Sequence, residues 1–516
     1  MNKYHTIIVG AGHNGLVAAA YLAKAGKKVL LLERRAIIGG SVVTEELGEG
    51  FKADAVWTGG MLRPDIVKDL KLVLASATEK PAFHSLLAAG PSRAPTSINP
   101  VTTPTRLTID ADPAKAAESI RYFSEKDAQK WPEFVAFMDK SAGVLDMVYA
   151  TRMPRLPRDF SISEGYALAE MALELRLMGR KDMLNFIRLL PMTAVEFLDE
   201  WFESEPLKAA IASLGIHGVT LGVMSAGTGY TLLHNWLNRG GLSHANAGKA
   251  GEITEALAKA VRARGGEIRT NTEVERIQVE TYTCKGVVLA SGEEIFAEQV
   301  ITALDPKRTF LSLVGAVNLP PEFVWKVQSI KMRGSAAKVH LLTDGRHGLP
   351  VGTSVLAPSV RYLEKAYDAA KYGAISERPY LEVTTYGNVL SVHFQFAPYA
   401  LNSGEWKAEI GRVEKLAVDS LAEHFPNLKS SIIHQRSISP RDLEETYGLT
   451  EGDLNHGQLM LDQFLFMRPI PGWSNHKTPI DGLYLCGSGV HAGGGISGAA
   501  GRNAARVVLS QGQHPG

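Results

Sequence analysis

Hydrophobic and polar residues at the start of the chain follow first the pattern of a strand, then that of a helix, then that of a strand again. Residues 6–9 are a short apolar run, residues 16–26 carry leucine, valine and alanine at helical spacing, and residues 28–32 form a second apolar run that ends at Glu33. Short apolar runs on either side of a helical stretch are typical of two parallel strands joined by a helix. The pattern therefore predicts a βαβ unit.

Three glycines stand where the first predicted strand passes into the helix. Gly10, Gly12 and Gly15 have the spacing G-x-G-x-x-G of a dinucleotide-binding turn. The first glycine allows a tight turn, the second lets a pyrophosphate approach the backbone, and the third lets the helix pack close to the sheet. The helix N-terminus favours the phosphate charge. Glu33, about twenty residues further on, is placed to accept hydrogen bonds from a ribose.

Two features after Glu33 point to different dinucleotides. Arg34 and Arg35 would suit the 2′-phosphate of NADP. Gly39 and Gly40 instead form a second glycine turn, which lets another backbone segment approach the same pyrophosphate. The second arrangement is typical of FAD-binding folds, so the sequence favours FAD.

The region after residue 104 is predicted to be mainly helical. Capping-box patterns begin at Ser124, Ser161 and Thr193, and apolar residues recur at helical spacing over residues 163–178, 182–190 and 194–202. Such stripes usually face a core. An alternative interpretation is a lipophilic substrate channel or a peripheral contact with a membrane surface.

The stretch of residues 215–238 combines many glycines with aromatic and imidazole side chains, and we interpret it as the lining of a ligand pocket. His217, Tyr230, His234 and Trp236 are its candidates. A helix is predicted over residues 251–265 and strands over 267–270, 274–279, 284–289 and 299–303. A second insertion is predicted with strands over 336–342, 380–385, 389–397 and 430–437 and a helix over 405–425.

The chain ends on a second glycine-rich turn. An apolar run over residues 483–486 precedes Gly487-Ser488-Gly489, and a helix is predicted over residues 496–510. Too few residues follow for a second βαβ unit, so no NAD(P)H domain is predicted. We expect this strand to rejoin the first sheet and the helix to direct its N-terminus at the flavin ring. His491 lies between the two and is therefore a candidate for the chemistry.

Composition bounds the alternatives. The 516 residues predict two or three domains, and the net charge of +1 gives no basic surface for nucleic acid. No apolar run of about 18 residues predicts a membrane span. Cys284 and Cys486 are the two cysteines, far apart, which excludes a dithiol redox site and a cysteine-based metal site. The first strand begins close to Met1, so we expect no leader and a cytoplasmic protein, and no metal ligands are predicted.

The chain resembles the phytoene desaturase-related FAD oxidoreductases, and within them the branch of pyridine nucleotide-disulfide oxidoreductase domain-containing protein 2. The resemblance spans nearly the whole chain. Its motifs are residues 9–21, 33–40, 43–47, 62–64, 200–208, 303–306, 456–457, 461–473, 483–489 and 501–505. Residues 222–235 and 240–249 depart from the family's usual form, which places the pocket and its substrate in doubt.

The resemblance implies an α/β fold with a Rossmann-type FAD-binding domain, like that of glutathione reductase and amine oxidases, and an inserted α+β substrate domain. The implied FAD domain comprises residues 1–72, 250–316 and 470–516, and the substrate domain residues 73–249 and 317–469. FAD is expected to bind noncovalently. Its predicted contacts are Gly10, Gly12, His13, Asn14, Gly15, Glu33, Arg34, Gly39, Gly40, Ser41, Gly60, Met61, Val274, Gly487, Ser488, Gly495 and Ile496.

The expected reaction is desaturation of a lipophilic or cyclic carbonyl-type molecule, with hydride transfer to the flavin and electrons passed to a quinone or to O₂. His491 and His234 are the candidate catalytic residues. A non-redox enzyme like carotenoid isomerases, a flavin amine oxidase and a flavin-bound interaction protein remain alternatives. For an amine oxidase, Lys338 would face the flavin, although a solvated strand lysine is the expectation. The oligomeric state stays open.

Overall fold

The computed structural model describes residues 4–74, 80–87, 105–153 and 162–511. Its strands are β1 Tyr4–Val9, β2 Val29–Leu32, β3 Thr44–Gly48, β4 Phe51–Asp54, β5 Phe83–Leu86, β6 Arg106–Ile109, β7 Glu267–Arg269, β8 Val274–Glu280, β9 Thr283–Leu289, β10 Glu294–Thr302, β11 Ala336–Thr343, β12 Gly352–Leu356, β13 Leu381–Tyr386, β14 Val389–Gln395, β15 Ile432–Ile438 and β16 Leu483–Leu485.

The α-helices are α1 His13–Lys24, α2 Pro64–Leu70, α3 Pro113–Arg121, α4 Glu125–Ala150, α5 Ile162–Leu177, α6 Arg180–Leu189, α7 Ala194–Asp199, α8 Glu205–Ile216, α9 Thr228–Arg239, α10 Ala250–Arg262, α11 Pro321–Gln328, α12 Val360–Lys371, α13 Trp406–Ala422, α14 Leu428–Ser431, α15 Pro440–Tyr447 and α16 Ala499–Gln511. Arg308–Gly315 is π-helical, and short 3₁₀ helices span Ala316–Asn318, Thr450–Gly452, Leu461–Gln463 and Leu465–Met467.

The first sheet gathers strands from three separated parts of the chain. Its order is β7-β2-β1-β10-β9-β8, and β16 pairs with β10 in parallel. The apolar runs of β1 and β2 lie in the parallel part of this sheet, where both faces are covered. Helices α1, α10 and α16 pack together with it in one apolar cluster. The expected return of the C-terminal strand to the first sheet is confirmed, whereas the domain boundaries stay a prediction.

The second sheet has the order β15-β11-β14-β13-β12-β5-β6. Helices α3, α4, α8 and α9 pack beside it around an aromatic core, and α13 covers β11 and β14. Within that aromatic core the rings of Phe134 and Phe202 meet edge to face with centroids 4.9 Å apart. We call the first sheet with its packed helices the first-sheet region, and the second sheet with its packed helices the second-sheet region.

Most predicted elements are present with shifted ends. Ser124 caps α4 by accepting from the Asp127 amide, and Thr193 forms a full capping box with Glu196. Ser161 lies outside the described residues. Helix α16 begins at Ala499 and not at residue 496, because Gly494, Gly495 and Gly498 hold the preceding turn at positive φ.

Residues 215–238 include the end of α8 and the largely buried helix α9, and their role as a pocket lining stays a prediction. Two expectations about the second-sheet region are wrong. Lys338 is not solvated, because only 3% of its surface is exposed. The stripes of α5 and α6 do not face a core throughout, since four of their apolar side chains are exposed: Leu173, Leu177, Leu184 and Ile187.

Arg63 pairs with Asp65 and Asp146. Within the described ranges, none of the helices combines the length and the apolar character that crossing a bilayer requires. Contact with a membrane surface stays a prediction.

Candidate cofactor and catalytic site

A cavity of about 540 Å³ opens at the carboxyl ends of β1 and β2. Ligands of open α/β sheets bind in this position, where helices leave the sheet on both faces. The lining comes from five segments of the chain: residues 9–14, 32–41, 272–275, 303–313 and 447–456, together with Ala290 and Ser488.

Two glycine turns form the floor of the cavity. Gly10 has a φ of +97°, which requires glycine at this turn. A Cβ on Gly12 would meet no heavy atom within 4 Å, so the backbone there is open to a ligand. The Gly39 amide donates to the Ala11 carbonyl at 2.9 Å, and a Cβ on Gly40 would come within 3.1 Å of Gly12 Cα. The two turns therefore lie against each other, as the FAD interpretation expects.

Glu33 is fixed at the edge of the cavity by backbone groups. Its Oε2 accepts from the Ala11 amide at 2.9 Å and its Oε1 from the Arg35 amide at 3.0 Å. Each carboxylate oxygen retains acceptor capacity for ribose hydroxyls. The neighbouring arginines are already engaged, because Arg34 donates to the carbonyls of Glu445 and Thr446, and Arg35 pairs with Glu45 at 2.6 Å. This arrangement fits a ribose better than a 2′-phosphate.

Two imidazoles of the lining have ring nitrogens without a protein partner. His13 Nε2 and His456 Nδ1 are buried and make no hydrogen bond in the structure. Burial, with the nearby His456, lowers the pKa of His13 to about 4, so its ring is neutral at pH 7. Buried polar atoms are rarely left unpaired. Residues of the cavity therefore fit a polar ligand such as the predicted dinucleotide.

The structure brings ten of the predicted contacts into the cavity lining and leaves seven outside it. The ten are Gly10, Gly12, His13, Asn14, Glu33, Arg34, Gly40, Ser41, Val274 and Ser488. Of the others, Gly15 and Gly39 pack the turns, and Gly487 packs on the carbonyls of Ala303 and Leu304. Gly60, Met61, Gly495 and Ile496 lie away from this lining. A Cβ on Gly60 would overlap the Ile496 side chain, so these two predicted contacts meet each other.

His234 reaches the C-terminal glycine turn from α9. A Cβ on Gly494 would lie 2.8 Å from His234 Nε2. His234 Nδ1 lies 2.7 Å from the Tyr149 hydroxyl, which in turn lies 2.9 Å from the Tyr230 hydroxyl. Asn238 Nδ2 lies 3.1 Å from His234 Nε2. The two residues on α9, His234 and Tyr230, are thus joined through Tyr149 of α4 beside the turn.

These polar groups are uncharged at pH 7. Burial, with the nearby Arg468, lowers the pKa of His234 to about 3. Burial raises the pKa of Tyr230 to about 12 and that of Tyr149 well above its usual value. Arg468 also approaches, but its guanidinium donates to backbone carbonyls, among them those of Asn455 and Ser488.

His491 has a different environment from the one its position suggests. Its side chain is buried, and Nε2 lies 3.1 Å from the Val148 carbonyl of α4. It does not belong to the lining of the cofactor cavity. Burial, with the nearby His476, lowers its pKa to about 3. The contact fits a residue that fixes the turn to α4, and its catalytic role stays a prediction.

Sequence reasoning did not assign the lining residues of the fourth and fifth segments, including Arg308, Tyr447 and His456. A signal was available, since residues 303–306 and 456–457 are among the motifs that carry the family resemblance. Asp305 of the first motif accepts from the Arg308 amide at 2.9 Å and from the Thr450 hydroxyl at 2.6 Å, so it ties the two segments together.

Known proteins resemble the chain over almost all of its length. Pyridine nucleotide-disulfide oxidoreductase domain-containing protein 2 of Rattus norvegicus is 32% identical, over 98% of this chain and 93% of that protein. A limonene dehydrogenase subunit of Castellaniella defragrans is 26% identical, over 97% of this chain and 94% of that protein. The lycopene-forming phytoene desaturase of Pantoea ananas is 24% identical, over 98% of each.

Solved structures share the fold. An oxidoreductase from Methanosarcina mazei has a TM-score of 0.61 at 18% identity, over 98% of this chain and 100% of that one. Residues 15–509 match the model of the family described as flavin containing amine oxidoreductase. The family match shows that FAD is the cofactor, and the resemblance to phytoene desaturase-related proteins is confirmed. The cavity of the first-sheet region is the candidate site for it, and we call it the FAD cavity below. The chain belongs to the flavin containing amine oxidoreductases, as an FAD-dependent oxidoreductase of mixed α/β fold.

Proposed function

We propose that the chain is a dehydrogenase that converts a C–C single bond of a lipophilic or cyclic carbonyl-type molecule to a double bond. The observation that carries the proposal is the uncharged character of His234, Tyr149 and Tyr230 beside the Gly494 turn. A buried setting of uncharged side chains favours an uncharged substrate, because burying a charge without a partner costs on the order of several kcal/mol. Two relatives named for such chemistry, limonene dehydrogenase and phytoene desaturase, support it.

FAD, when bound, supplies a hydride acceptor. The chain's own residues would hold and shield it: the Gly10–Gly12 backbone would receive the pyrophosphate, and Glu33 would accept from the ribose. The N-terminal end of α16 lies after the Gly494 turn, which His234 approaches from α9. Helix ends of this polarity stabilise negative charge. Neutral His234, oriented by Tyr149, lies beside that turn and is the candidate for contact with the substrate.

The released electrons pass to a quinone or to O₂ in this proposal, because the sequence encodes no second dinucleotide-binding unit that would deliver them to NAD(P)⁺. The cavity that the βαβ unit of β1, α1 and β2 forms is the FAD cavity of this proposal. Cys284 and Cys486 are both free and buried, which disfavours a disulfide acceptor. Burial raises the pKa of the Cys284 thiol to about 12, so the thiolate that such chemistry needs is suppressed.

Anaerobic spectroscopy tests the reaction. Purified flavoprotein is mixed with a panel of terpenoid hydrocarbons, cyclic ketones and primary amines, and bleaching of the flavin absorbance is followed. We expect bleaching by a hydrocarbon or ketone, with a product two hydrogens lighter. A product of unchanged mass would indicate an isomerase, and bleaching by amines alone would contradict the proposal.

A flavin amine oxidase is the second candidate, and the burial of Lys338 favours it. Lys338 lies on β11 with 3% of its surface exposed, and burial lowers its pKa to about 8 despite the nearby Glu382. A buried lysine of this kind fits the flavin-facing lysine expected for amine oxidation. Replacement by methionine separates the candidates: an amine oxidase would lose amine-dependent bleaching, whereas the proposed dehydrogenase keeps its reaction with the hydrocarbon or ketone.

A further inference from the structure

We propose that His217, His244 and Glu382 form a binding site for a divalent transition-metal ion in the second-sheet region. The sequence predicts no metal ligands, because these three residues are separated by long stretches of chain. His217 follows α8, His244 follows α9, and Glu382 lies on β13. The fold brings them together behind Trp57, whose ring centroid lies 6.3 Å from that of His217. The proposal does not depend on the proposed function.

The three ligand atoms have the spacing that one ion requires. They all lie within 4.8 Å of one another. His217 Nδ1 lies 3.5 Å from Glu382 Oε1, and His244 Nε2 lies 2.7 Å from the same oxygen. Two atoms that each lie about 2.1 Å from a tetrahedral zinc are ~3.4 Å apart. The first pair already has this separation, and the second must widen by less than about 1 Å.

An unpartnered atom points to a missing ligand. The His217 side chain is only 3% exposed, and its Nδ1 makes no hydrogen bond, since the contact with Glu382 Oε1 at 3.5 Å does not have hydrogen-bond geometry. A buried nitrogen left unpaired is unfavourable. Coordination of an ion by this nitrogen would satisfy it. Two imidazoles and one carboxylate form a donor set typical of zinc and of non-haem iron sites that keep an open position.

The positive charges of Arg239 and Lys338 repel a metal cation. An anionic further ligand on the metal would offset this repulsion. Arg239 Nη1 donates to Glu382 Oε2 at 2.9 Å, so the carboxylate already has one positive partner. The ion would add two charges, which an anionic further ligand such as hydroxide reduces. Arg239 Nη2 is buried without a hydrogen-bond partner and is available to donate to that ligand. The inferred site thus binds a metal together with an anion.

Metal binding by the full-length flavoprotein tests the inference. The protein is treated with a chelator, desalted, incubated with Zn²⁺ and desalted again. We expect one zinc per chain by elemental analysis and a higher melting temperature than the chelated protein. His217→Ala and His244→Ala should each weaken zinc binding at least ~10-fold, the usual effect of a lost ligand or its support. His340→Ala is the matched control, since His340 is a buried histidine of the same sheet that bonds to Ser391 and to the Ala55 carbonyl.

Zinc X-ray absorption of the wild-type protein needs no variant and covers the case of variants that do not fold. We expect a shell of nitrogen and oxygen at about 2.0–2.1 Å with the scattering of two imidazoles. Less than about a tenth of an equivalent of zinc in the wild type overturns the inference, as does a spectrum without imidazole scattering. Equal zinc binding by folded His217→Ala protein overturns it too. FAD content and flavin reduction are measured separately and report on the cofactor site.

Discussion

The FAD cavity and the polar interior of the second-sheet region differ in what forms them. Backbone groups of consecutive residues form the floor of the cavity: the turn Gly10–Gly12, the turn at Gly39 and Gly40, and amides that hold Glu33. Side chains from distant segments form the interior, where Arg239, His244 and Glu382 meet across two secondary-structure layers. A site built from backbone groups is disturbed mainly by substitution of its glycines. A site built from charged side chains is disturbed by substitution of any one of the paired residues.

The largest expected effect is on the backbone-built site. Gly12→Val places a side chain in open space within the cavity, where the pyrophosphate approaches, and the φ of −66° at this position suits any residue. We expect FAD affinity to fall on the order of 100-fold or more, with the apoprotein's free energy of unfolding unchanged within about 0.5 kcal/mol. Flavin absorbance after desalting and urea unfolding of the apoprotein provide the measurements.

Gly15→Val is the matched control for that prediction. A Cβ on Gly15 would overlap the Gly10 carbonyl oxygen, so this change damages the turn itself. We expect it to lower apoprotein stability by about 1–3 kcal/mol as overpacking does, besides removing FAD. Normal FAD retention by Gly12→Val, or equal destabilisation by both variants, would contradict the assignment of Gly12 to the ligand and Gly15 to packing.

The second prediction concerns the buried ion pair in the interior of the second-sheet region. Arg239→Met leaves the Glu382 carboxylate buried without its guanidinium, and removal of one partner of a buried ion pair costs about 3–5 kcal/mol. Urea unfolding should show this loss, while the folded fraction keeps its FAD because Arg239 is not part of the cavity lining. The double variant Arg239→Met, Glu382→Leu should recover much of the stability. A loss below about 1 kcal/mol in the single variant would contradict the role of the pair.

The same difference explains how far the sequence predicts each site. Gly10, Gly12 and Glu33 are recognisable because their spacing within one βαβ unit carries the geometry. Arg308 and His456 are not, because they enter the lining from segments that tertiary folding brings in. Spacing along the chain says nothing of a site whose parts come from separate elements.

The burial of residues in the second-sheet region is hard to predict from the sequence for a further physical reason. The sequence of residues 215–238 favours a pocket lining, because its glycines lower helix propensity. One of them, Gly229 in the first turn of α9, has a packing role, since a Cβ there would overlap the Leu189 carbonyl oxygen. The sequence predicts a surface position for Lys338 because strand periodicity does not reveal that both faces of β11 are covered. The buried polar residues at the centre of this region, which include His217 and Glu382, are therefore brought together only by tertiary folding.

The third prediction compares the two regions through acid pH. His13 in the cavity and His217 and His234 in the second-sheet region have pKa values lowered by burial to about 4, 3 and 3. Below about pH 6.5 these histidines bind protons in the unfolded chain but stay neutral in the folded chain. Their stabilising contribution is therefore present above that pH and is lost as the pH falls toward 4, by about 1.4 kcal/mol per pH unit for each histidine.

Unfolding free energies of the apoprotein between pH 7 and pH 5 measure this slope. His234→Gln should reduce it by roughly one proton, the contribution of a single buried histidine. His434→Gln, at an exposed position on β15, serves as the matched histidine substitution. A slope in the wild type that His234→Gln does not alter would show that this imidazole is not a buried neutral group.

The smallest expected effect concerns the hydroxyl groups that orient His234. Tyr149→Phe removes the oxygen that contacts both Tyr230 and His234, whereas Tyr230→Phe removes one hydrogen bond and leaves the contact of Tyr149 with His234. A hydrogen bond contributes about 0.5–1.5 kcal/mol to stability, so Tyr149→Phe should cost more than Tyr230→Phe by about that amount. Both variants should keep FAD, since neither tyrosine lines the cavity. Because Tyr149 also orients the imidazole beside Gly494, its replacement should slow flavin reduction by the substrate more than Tyr230→Phe does. Equal rates of flavin reduction in the two variants would show that Tyr149 serves stability alone, and would confine the functional part of the second-sheet region to His234 itself.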